Sequence, residues 1–228
     1  EFDTIRRMAE RWGARAPGLG DDAAILRIPR GDSLVVSTDT AVEGRHFKRD
    51  SLSPREIGYP AAAAALSDLA EAALSLAMAH LLRTAHEADE LHLPDPSDPT
   101  RGGGFTVLGM GKLGARELNY SSDVDLVLLY DPAASIYTQA TDGHAMGAFT
   151  SRIARGLVAL MEARDADGYV FRTDLRLRPD PSVTPPAVAL PAAIIYYESM
   201  GQNWERAAMI KARPVAGDLA LGAGFLEA

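Results

Sequence analysis

The segment Gly109–Asp131 constrains the fold of the chain more than any other part of the sequence. It reads GMGKLGARELNYSSDVDLVLLYD and follows the apolar run FTVL. The runs FTVL and VDLVLLY are short and rich in aliphatic side chains, so they predict two strands. Only about eight residues separate Gly114 from Asp123, whereas two parallel strands need a crossover connection of about ten or more residues. The segment therefore leaves no room for a crossover helix between its strands.

The glycines of this segment have G-x-G-x-x-G spacing at Gly109, Gly111 and Gly114, and Asp131 follows about twenty residues later. This is the fingerprint of a dinucleotide-binding βαβ unit. The short connection argues against that interpretation, and the polar run NYSS is poor helix interior. The glycines instead suit a loop whose backbone N–H groups approach a triphosphate, with Lys112 as a point charge. Asp131 is then only a strand-end residue.

Acidic residues introduce the second strand of the segment. Asp123 and Asp125 are two positions apart, and the two-residue period of a strand puts both carboxylates on one face. Carboxylates this close repel each other unless a cation neutralises them, and a pair of divalent ions is the usual solution. A solvated turn is the structural alternative. A further carboxylate, Asp174, lies in a predicted strand over 169–177 and suits a site for Mg²⁺ and phosphate because arginines frame it: Arg172, Arg176 and Arg178.

Charge and composition exclude several classes of function. The chain has 23 basic and 31 acidic residues and a net charge of −8, so a generic nucleic-acid surface is not expected. Cysteine is absent, which excludes thiolate sites and agrees with a cytoplasmic location. No apolar run of the roughly 20 residues needed for a membrane span and no signal peptide are recognised. The chain starts at Glu1 without a methionine and is expected to be a piece of a longer protein.

The sequence pattern predicts three different parts that follow one another along the chain. The first, 1–65, contains a helix over 2–12 and two strands over 23–28 and 33–38, joined by a turn. Ser53 and Pro54 then predict the start of a helix. An Ala-rich helical segment with a turn-rich linker, 66–104, leads to a catalytic part, 105–228. Its predicted elements are strands over 105–108, 124–130 and 169–177, helices over 146–164 and 192–212, and a Pro-rich loop over 179–191.

Three stretches carry a family resemblance: the segment Gly109–Asp131, FRTDLRLRPD and YYESMGQNWERAAMIKARPVAGD. They resemble the catalytic domain of glutamine synthetase adenylyltransferases, from about Leu66 to the C-terminus. The resemblance implies an α+β fold of the DNA polymerase β-like nucleotidyltransferase type with flanking helices, truncated at its C-terminal side. These enzymes have two related catalytic halves. One attaches AMP to a tyrosine of glutamine synthetase; the other removes it with phosphate, releasing ADP, and so regulates nitrogen assimilation.

The resemblance also implies roles for individual residues. The wording NWERAAMIKARP is more similar to the N-terminal, adenylyl-removing half, although the direction of reaction stays open. Asp123 and Asp125 would ligate Mg²⁺, and Asp174 would complete the carboxylate triad. ATP, or ADP and phosphate, would be the substrates, and glutamine synthetase would be the partner, with no nucleic acid or membrane involved. The implied nucleotide-binding residues are Gly109, Gly111, Lys112, Gly114, Ser121, Ser122, Arg176, Arg178 and Lys211.

Residues 1–70 have a different resemblance, to the N-terminal domain of thiamine-monophosphate kinase, through PGLGDDAAIL, LVVSTDTAVEGRHF and SPREIGY. It implies an alternative phosphoryl-transfer site for Mg²⁺ and nucleotide. A plain turn remains the alternative for these acids, and a non-catalytic remnant remains a third interpretation of the chain. The run LSDLA at Leu66–Ala70 is a plausible junction of a chimeric chain. The residues of the alternative site are Asp21, Asp22, Asp39, His46 and Asp68.

Overall fold

The computed structural model of the chain describes two compact units, Glu1–Ala65 and Leu66–Ala228. In the first unit, β1 (Ala23–Arg27) pairs antiparallel with β2 (Ser33–Ser37). This pairing confirms the two strands predicted there, whereas the helix predicted over 2–12 lies outside the described residues. The described residues, with most of their side chains from Ala62 onward, are 23–27, 33–37, 54–119, 122–134, 136–137, 143–164 and 169–228.

The boundary between the units falls within a long helix, α1 (Pro54–Glu87), which begins at the proline that the sequence places in a first turn. The second unit then alternates short strands with helices. Its elements are β3 (Phe105–Gly109), α2 (Gly111–Gly114), β4 (Val124–Tyr130), α3 (Gly143–Glu162), β5 (Thr173–Asp174), β6 (Ala187–Ala189), α4 (Leu190–Ser199), α5 (Asn203–Met209), β7 (Arg213–Gly217) and α6 (Leu219–Glu227).

The sheet of the second unit has β4 and β3 at its centre, in the order β5-β4-β3-β7. Strand β3 pairs antiparallel with both β4 and β7. The antiparallel β3–β4 pair confirms that no crossover helix joins these strands. On its other edge, β4 pairs in parallel with two short strands in succession, β5 along its first residues and β6 along its last.

Helices pack on both faces of this sheet, which gives a mixed helix-and-sheet fold compatible with the expected α+β class. Alternate residues of β4 enter different hydrophobic clusters. Leu126 and Leu128 join buried side chains of α1 and α3, while Val127 and Leu129 join those of α4 and α6. Because the strand is buried on both faces, its residues form a nearly continuous apolar run. Asp125 is the exception within β4.

Helix α1 contributes a buried stripe to the first of these clusters. Its members recur every three or four residues, which is the spacing of one helix face. By length and composition alone, Ala62–Glu87 could cross a membrane, with 26 residues and a mean hydropathy of 1.4. That differs from the expectation of no such run, because these Ala-rich turns carry few charges. It is weak support for a membrane span, since a core helix passes the same test. The stripe is Ala70, Leu74, Met78, Leu82 and Ala85.

Two predicted elements differ from the structure. The helix predicted over 192–212 is wrong as a single element, since α4 ends at Ser199 and α5 begins at Asn203. Glu205 accepts a hydrogen bond from the backbone N–H of Gln202 at 2.8 Å, and this capping box starts the new helix. The strand predicted over 169–177 is only β5, because just two of its residues pair with β4. The loop predicted over 179–191 contains β6.

Candidate functional site

The predicted carboxylates lie at the edge of the sheet where β4 begins. Asp125 is the direct partner of Asp174 in the parallel β4–β5 register. Neighbouring strands are about 4.8 Å apart and side chains in register point to the same face, so these two carboxylates lie side by side. Asp123 immediately precedes β4. The structure therefore brings Asp174 next to Asp123 and Asp125, although it lies about fifty positions later in the sequence.

Arginines hold two of these three carboxylates. Arg172 forms an ion pair with Asp123, with 2.7 Å between Nε and Oδ1. Arg176 binds Asp174 through its backbone N–H, at 2.8 Å to Oδ1, and through Nε, at 2.8 Å to Oδ2. The hydrogen bonds from Arg176 hold the pKa of Asp174 below its ordinary value. Asp174 is thus kept ionised.

Asp125 is electrostatically different from its neighbours. Within the described part of the chain, no basic side chain donates a hydrogen bond to its carboxylate. Burial raises the pKa of Asp125, and the negative charges of Asp174 and Asp123 raise it further, while Arg176 and Lys112 act in the opposite direction. A half-buried carboxylate beside two like charges is a place where a bound cation would be stabilised.

The glycine turn lies directly against Asp125. The backbone N–H of Met110 donates to the Asp125 carbonyl oxygen at 2.8 Å. Gly111 has a positive φ of 50°, and a Cβ there would lie only 2.9 Å from Asp125 Oδ2. A glycine is therefore required at this position both by backbone conformation and by the close approach of the carboxylate.

The next glycine of the motif serves packing rather than the carboxylates. A Cβ on Gly114 would lie 1.9 Å from the backbone oxygen of Lys211 and 2.5 Å from that of Gly109. Likewise, a Cβ on Gly109 would lie 2.7 Å from a methyl carbon of Val215. The G-x-G-x-x-G spacing thus reflects close contacts among the turn, β4 and β7.

Polar side chains surround the turn on its exposed side. Lys112 donates from Nζ to Ser122 Oγ at 3.3 Å, and Ser122 donates to Asn119 Oδ1 at 2.5 Å. Ser121 lies outside the described residues. Lys211 pairs with Glu117 at 2.9 Å, and both side chains are exposed. Lys112 and Ser122 therefore lie beside the carboxylates, whereas Lys211 pairs with Glu117.

Arg178 makes contacts that the sequence does not suggest. Its guanidinium donates to the backbone oxygen of Leu175 at 2.8 Å, of Pro181 at 2.9 Å and of Thr184 at 3.2 Å. The alternation argument that grouped Arg178 with Asp174 assumes a strand that continues beyond residue 174. The chain turns there instead, so Arg178 braces its own loop.

The alternative kinase-like site is mostly outside the described residues, namely at Asp21, Asp22, Asp39 and His46. Asp68 is described, lies in α1 and belongs to the second unit. It faces Arg116 at 3.9 Å. Asp68 is therefore near the glycine turn, and its role in a kinase-like site stays a prediction.

Sequence reasoning missed two groups beside the site. Glu162, the last residue of α3, accepts hydrogen bonds from the backbone N–H and the hydroxyl of Thr173, at 2.8 and 2.7 Å. Arg213 pairs with Glu71 across the glycine turn. No local motif marks either group, since the partners are distant in sequence. Only the position of Thr173, next to Asp174 in the sequence, could have indicated that its hydrogen-bond partner, Glu162, lies near the site.

The chemistry of the three carboxylates fits a divalent cation such as Mg²⁺, which prefers carboxylate oxygens. The raised pKa of Asp125 has the same implication, because a cation would offset the repulsion among the acids. Among the described residues, no three acidic or histidine side chains already surround a common point. Arg176 and Arg172 hold Asp174 and Asp123, so binding of a cation requires these ion pairs to open.

A cavity of about 240 Å³ lies elsewhere in the second unit, between α4, α5 and α6. Its lining includes Ile194, Met209 and Phe225, and it contains none of the predicted site residues. This cavity therefore does not mark the candidate site.

Comparison with known proteins assigns the chain to a family. The family model for glutamate-ammonia ligase adenylyltransferase matches residues 59–228, which include the turn and all three carboxylates. The chain belongs to this family. Relatives named bifunctional glutamine synthetase adenylyltransferase/adenylyl-removing enzyme are 59% identical over 162 residues in Rhizobium meliloti and 57% identical over 162 residues in Agrobacterium fabrum. Another, from Bradyrhizobium, is 52% identical over 163 residues.

The match to this adenylyltransferase family covers most of the chain but little of the relatives. It spans 71% of the chain and 16% of the length of the Rhizobium and Agrobacterium proteins, and 72% and 16% for the Bradyrhizobium protein. The resemblance seen in the sequence is therefore confirmed for residues 59–228.

A second family model, for the N-terminal domain of AIR synthase related protein, matches residues 20–90. It gives weak support to the kinase-like resemblance of the first 70 residues. The two matches overlap at residues 59–90, which lie largely in α1.

Proposed function

We propose that residues 66–228 form a Mg²⁺-dependent nucleotidyltransferase domain of the polymerase β-like type. In the favoured direction it removes AMP by phosphorolysis from a tyrosine of glutamine synthetase; in the other it adds AMP from ATP. The observation that carries the proposal is the grouping of Asp123, Asp125 and Asp174 beside the glycine turn. The names of the relatives, which include both activities, support it.

The reaction in either direction is a displacement at the phosphorus of AMP, in line between the attacking and leaving oxygens. Asp123, Asp125 and Asp174 would hold Mg²⁺, which supplies positive charge to the phosphate oxygens. Lys112 is exposed and lies on the same side as Ser122, so it can provide a point charge to a phosphate group. The turn between Met110 and Gly114 brings backbone N–H groups close to Asp125.

Arg176 is suited to move between two partners in this scheme. Its side chain is 83% exposed, whereas that of Asp174 is 14% exposed. A guanidinium binds carboxylates and phosphates with the same fork of N–H groups. Arg176 would therefore hold Asp174 before substrate binds and contact a phosphate group afterwards. Arg178 would not contact the phosphate in this scheme; its hydrogen bonds to backbone oxygens would only hold the loop that follows Arg176.

The favoured direction and the partner are supported by sequence similarity alone. The sequence NWERAAMIKARP is more similar to that of adenylyl-removing halves, and the relatives are named for both reactions. Glutamine synthetase is the proposed macromolecular partner, and regulation of nitrogen assimilation in the cytoplasm is the proposed setting. Neither a nucleic acid nor a membrane is part of the proposal.

Parallel assays test the proposal. The 228-residue protein is incubated with Mg²⁺, phosphate and adenylylated glutamine synthetase while ADP is measured, and separately with ATP and the unmodified synthetase. We expect turnover in at least the first assay, and its loss in Asp123→Asn and Asp125→Asn. Asp131→Asn is the matched control, since Asp131 follows the other end of β4 and accepts a hydrogen bond from the N–H of Ala133. Full activity of the Asp125 variant would show that the site is misassigned.

A second candidate function is favoured by the match of residues 20–90 to an AIR synthase related N-terminal domain. Under this alternative the chain contains part of an ATP-dependent thiamine-monophosphate kinase. A third assay, with ATP and thiamine phosphate, tests it. Activity there that survives Asp125→Asn would favour the kinase. Inactivity in all three assays, together with a cooperative thermal melt, would favour a non-catalytic chimeric remnant.

A further inference from the structure

Arg213, the first residue of β7, connects three elements of the second unit. Its Nη1 donates to Glu71 Oε2 in α1 at 2.8 Å, and its Nη2 donates to the other carboxylate oxygen. The same guanidinium reaches the last carbonyl oxygens of α2, at 3.3 Å to Gly114 and 3.4 Å to Leu113. One side chain therefore links the long helix to the C-terminal end of the glycine turn.

This ion pair differs from the surface pairs of the protein by its burial. The side chains of Arg213 and Glu71 are 28% and 19% exposed, whereas those of Arg152 and Glu90 are 53% and 33% exposed. A bidentate pair shielded from water has a defined geometry as well as a favourable energy. A positive charge beside the last carbonyls of a helix also satisfies acceptors that have no partner within the helix.

The other end of α2 is fixed by the candidate site itself. Gly111 packs against the Asp125 carboxylate, and the N–H of Met110 binds the Asp125 carbonyl oxygen. At the C-terminal end of α2, Gly114 packs so closely on the Lys211 carbonyl oxygen that a methyl group on Gly114 would overlap with it. Lys112 lies between these two contacts. The position of its backbone is therefore determined by Asp125 on one side and by Arg213 on the other.

We propose that Glu71 and Arg213 are positioning residues for nucleotide binding. Their ion pair holds α2 at its C-terminal end, so that Lys112 and the backbone of the turn meet the phosphate groups of a nucleoside di- or triphosphate beside Asp125. Neither residue contacts the nucleotide. This role rests on the proposed function, because it requires the turn to be the phosphate-binding element.

Isothermal titration calorimetry with Mg²⁺–ATP, and separately with ADP, tests this role on the 228-residue protein. Glu71→Gln removes the charge but keeps the size of the side chain, and Arg213→Lys keeps the charge but loses the fork. We expect each to weaken nucleotide binding by about tenfold or more, as for loss of a charge-assisted hydrogen bond. A purely structural defect would instead lower the stoichiometry and leave the Kd of the folded molecules unchanged.

The matched control is Glu90→Gln, which removes the 2.6 Å ion pair with Arg152 and touches no part of the turn. It should bind nucleotide as the parent does. Hydrogen exchange provides a second readout. The amides of residues 111–117 should exchange faster in Glu71→Gln than in the parent or in Glu90→Gln. Unchanged exchange there would contradict the positioning role even if the affinity falls.

The charge-swapped double variant Glu71→Arg with Arg213→Glu separates pairing from positioning. It restores an ion pair, but a carboxylate at position 213 cannot donate to the carbonyls of Leu113 and Gly114. We expect thermal stability to recover relative to the single variant Arg213→Glu, while nucleotide affinity stays low. Recovery of both would overturn the proposal, because pairing alone would then be sufficient.

Lys112→Ala distinguishes failure of this inference from failure of the proposed function. If Lys112→Ala binds ATP as tightly as the parent, the turn is not the phosphate site and the positioning role fails, whereas the proposed function is still decided by the activity of Asp125→Asn. If Lys112→Ala binds weakly while Glu71→Gln and Arg213→Lys bind normally, the turn is the site and only the positioning role is wrong.

Discussion

The two ends of the short helix α2 have opposite electrostatic character. At the Gly111 end, three carboxylates meet two arginines, and the pKa of Asp125 is raised by burial and by the other acids. At the Gly114 end, Glu71 and Arg213 match one to one and the remaining donors of Arg213 reach backbone oxygens. A half-buried carboxylate whose pKa is raised by its acidic neighbours marks a place that can take a cation, while a matched ion pair marks a structural contact.

The largest expected effect lies at the Gly111 end, at Asp125. Asp125→Asn should lower phosphorolysis by roughly a thousandfold or more, as for loss of a group that acts in the transition state. The fold should be retained, because the substitution removes repulsion from Asp123 and Asp174. Initial rates together with a thermal melt check this. If Asp125→Asn is inactive because it is unfolded, Asp125 has a structural role and the two ends of α2 do not differ in function.

Gly114→Ala should act mainly on stability, at the matched end. Its new methyl group would lie 1.9 Å from the Lys211 backbone oxygen, and backbone cannot move aside as a flexible side chain does. We expect a loss of about 3 kcal/mol in the free energy of unfolding, measured by denaturant titration. Gly147→Ala is the control, since nothing lies within 4 Å of a Cβ there; in helix α3 it should stabilise by about 0.5–1 kcal/mol.

Gly111→Ala should affect ligand binding as well as stability. The left-handed backbone costs about 1–2 kcal/mol for a residue with a side chain, and the methyl group would press on Asp125 Oδ2. Moving the turn by a few tenths of an ångström relieves this contact but displaces Lys112. We expect ATP binding to weaken by about tenfold, measured by calorimetry. Equal effects of Gly111→Ala and Gly114→Ala on affinity and stability would show that the two ends do not differ in role.

The smallest effect is expected at Glu162, which anchors β5 beside the carboxylates. Hydrogen bonds from the hydroxyl and the N–H of Thr173 hold its pKa below the ordinary value of 4.5. A lowered pKa in the folded state contributes stability above about pH 4.5, and this contribution is lost as the pH falls through the folded-state value. Glu162 is exposed, so we expect Glu162→Gln to cost well under about 1 kcal/mol at neutral pH.

The pH dependence provides the measurement for this last prediction. Thermal midpoints of the parent and of Glu162→Gln should differ at neutral pH and converge as the pH is lowered below 4.5 and through the folded-state pKa of Glu162. A difference that persists or grows at low pH would mean that the charge of Glu162 is not what stabilises the start of β5.

The sequence predicts the parts of the fold that local patterns determine. The runs FTVL and VDLVLLY specify β3 and β4, since apolar residues of this kind must be buried on both faces of a sheet. Pro54, the first residue of α1, and the serine before it specify the start of that helix, and the spacing of Asp123 and Asp125 specifies a pair of neighbouring carboxylates. The length of the connection after Gly114 is enough to exclude the dinucleotide-binding topology.

The parts that could not be predicted depend on contacts between distant residues. Strand β5 has only two residues, and its existence depends on pairing with β4 rather than on its own composition. Glu71 and Arg213 are 142 positions apart, so no spacing rule connects them. Arg176 and Arg178 occupy equivalent positions in the alternating pattern, but β5 ends at Asp174, before both of them, and only Arg176 turns back to bind that aspartate.

The ion pair between Glu71 and Arg213 also limits how this gene could have been assembled. Two family matches overlap along α1, so a recombination event within this helix would decide which parent supplies Glu71. A breakpoint before residue 71 leaves the pair intact. A breakpoint after it would place a foreign residue opposite Arg213, and an uncompensated, largely buried guanidinium is strongly destabilising. If the chain is a fusion of two parents, this pair favours a breakpoint before residue 71.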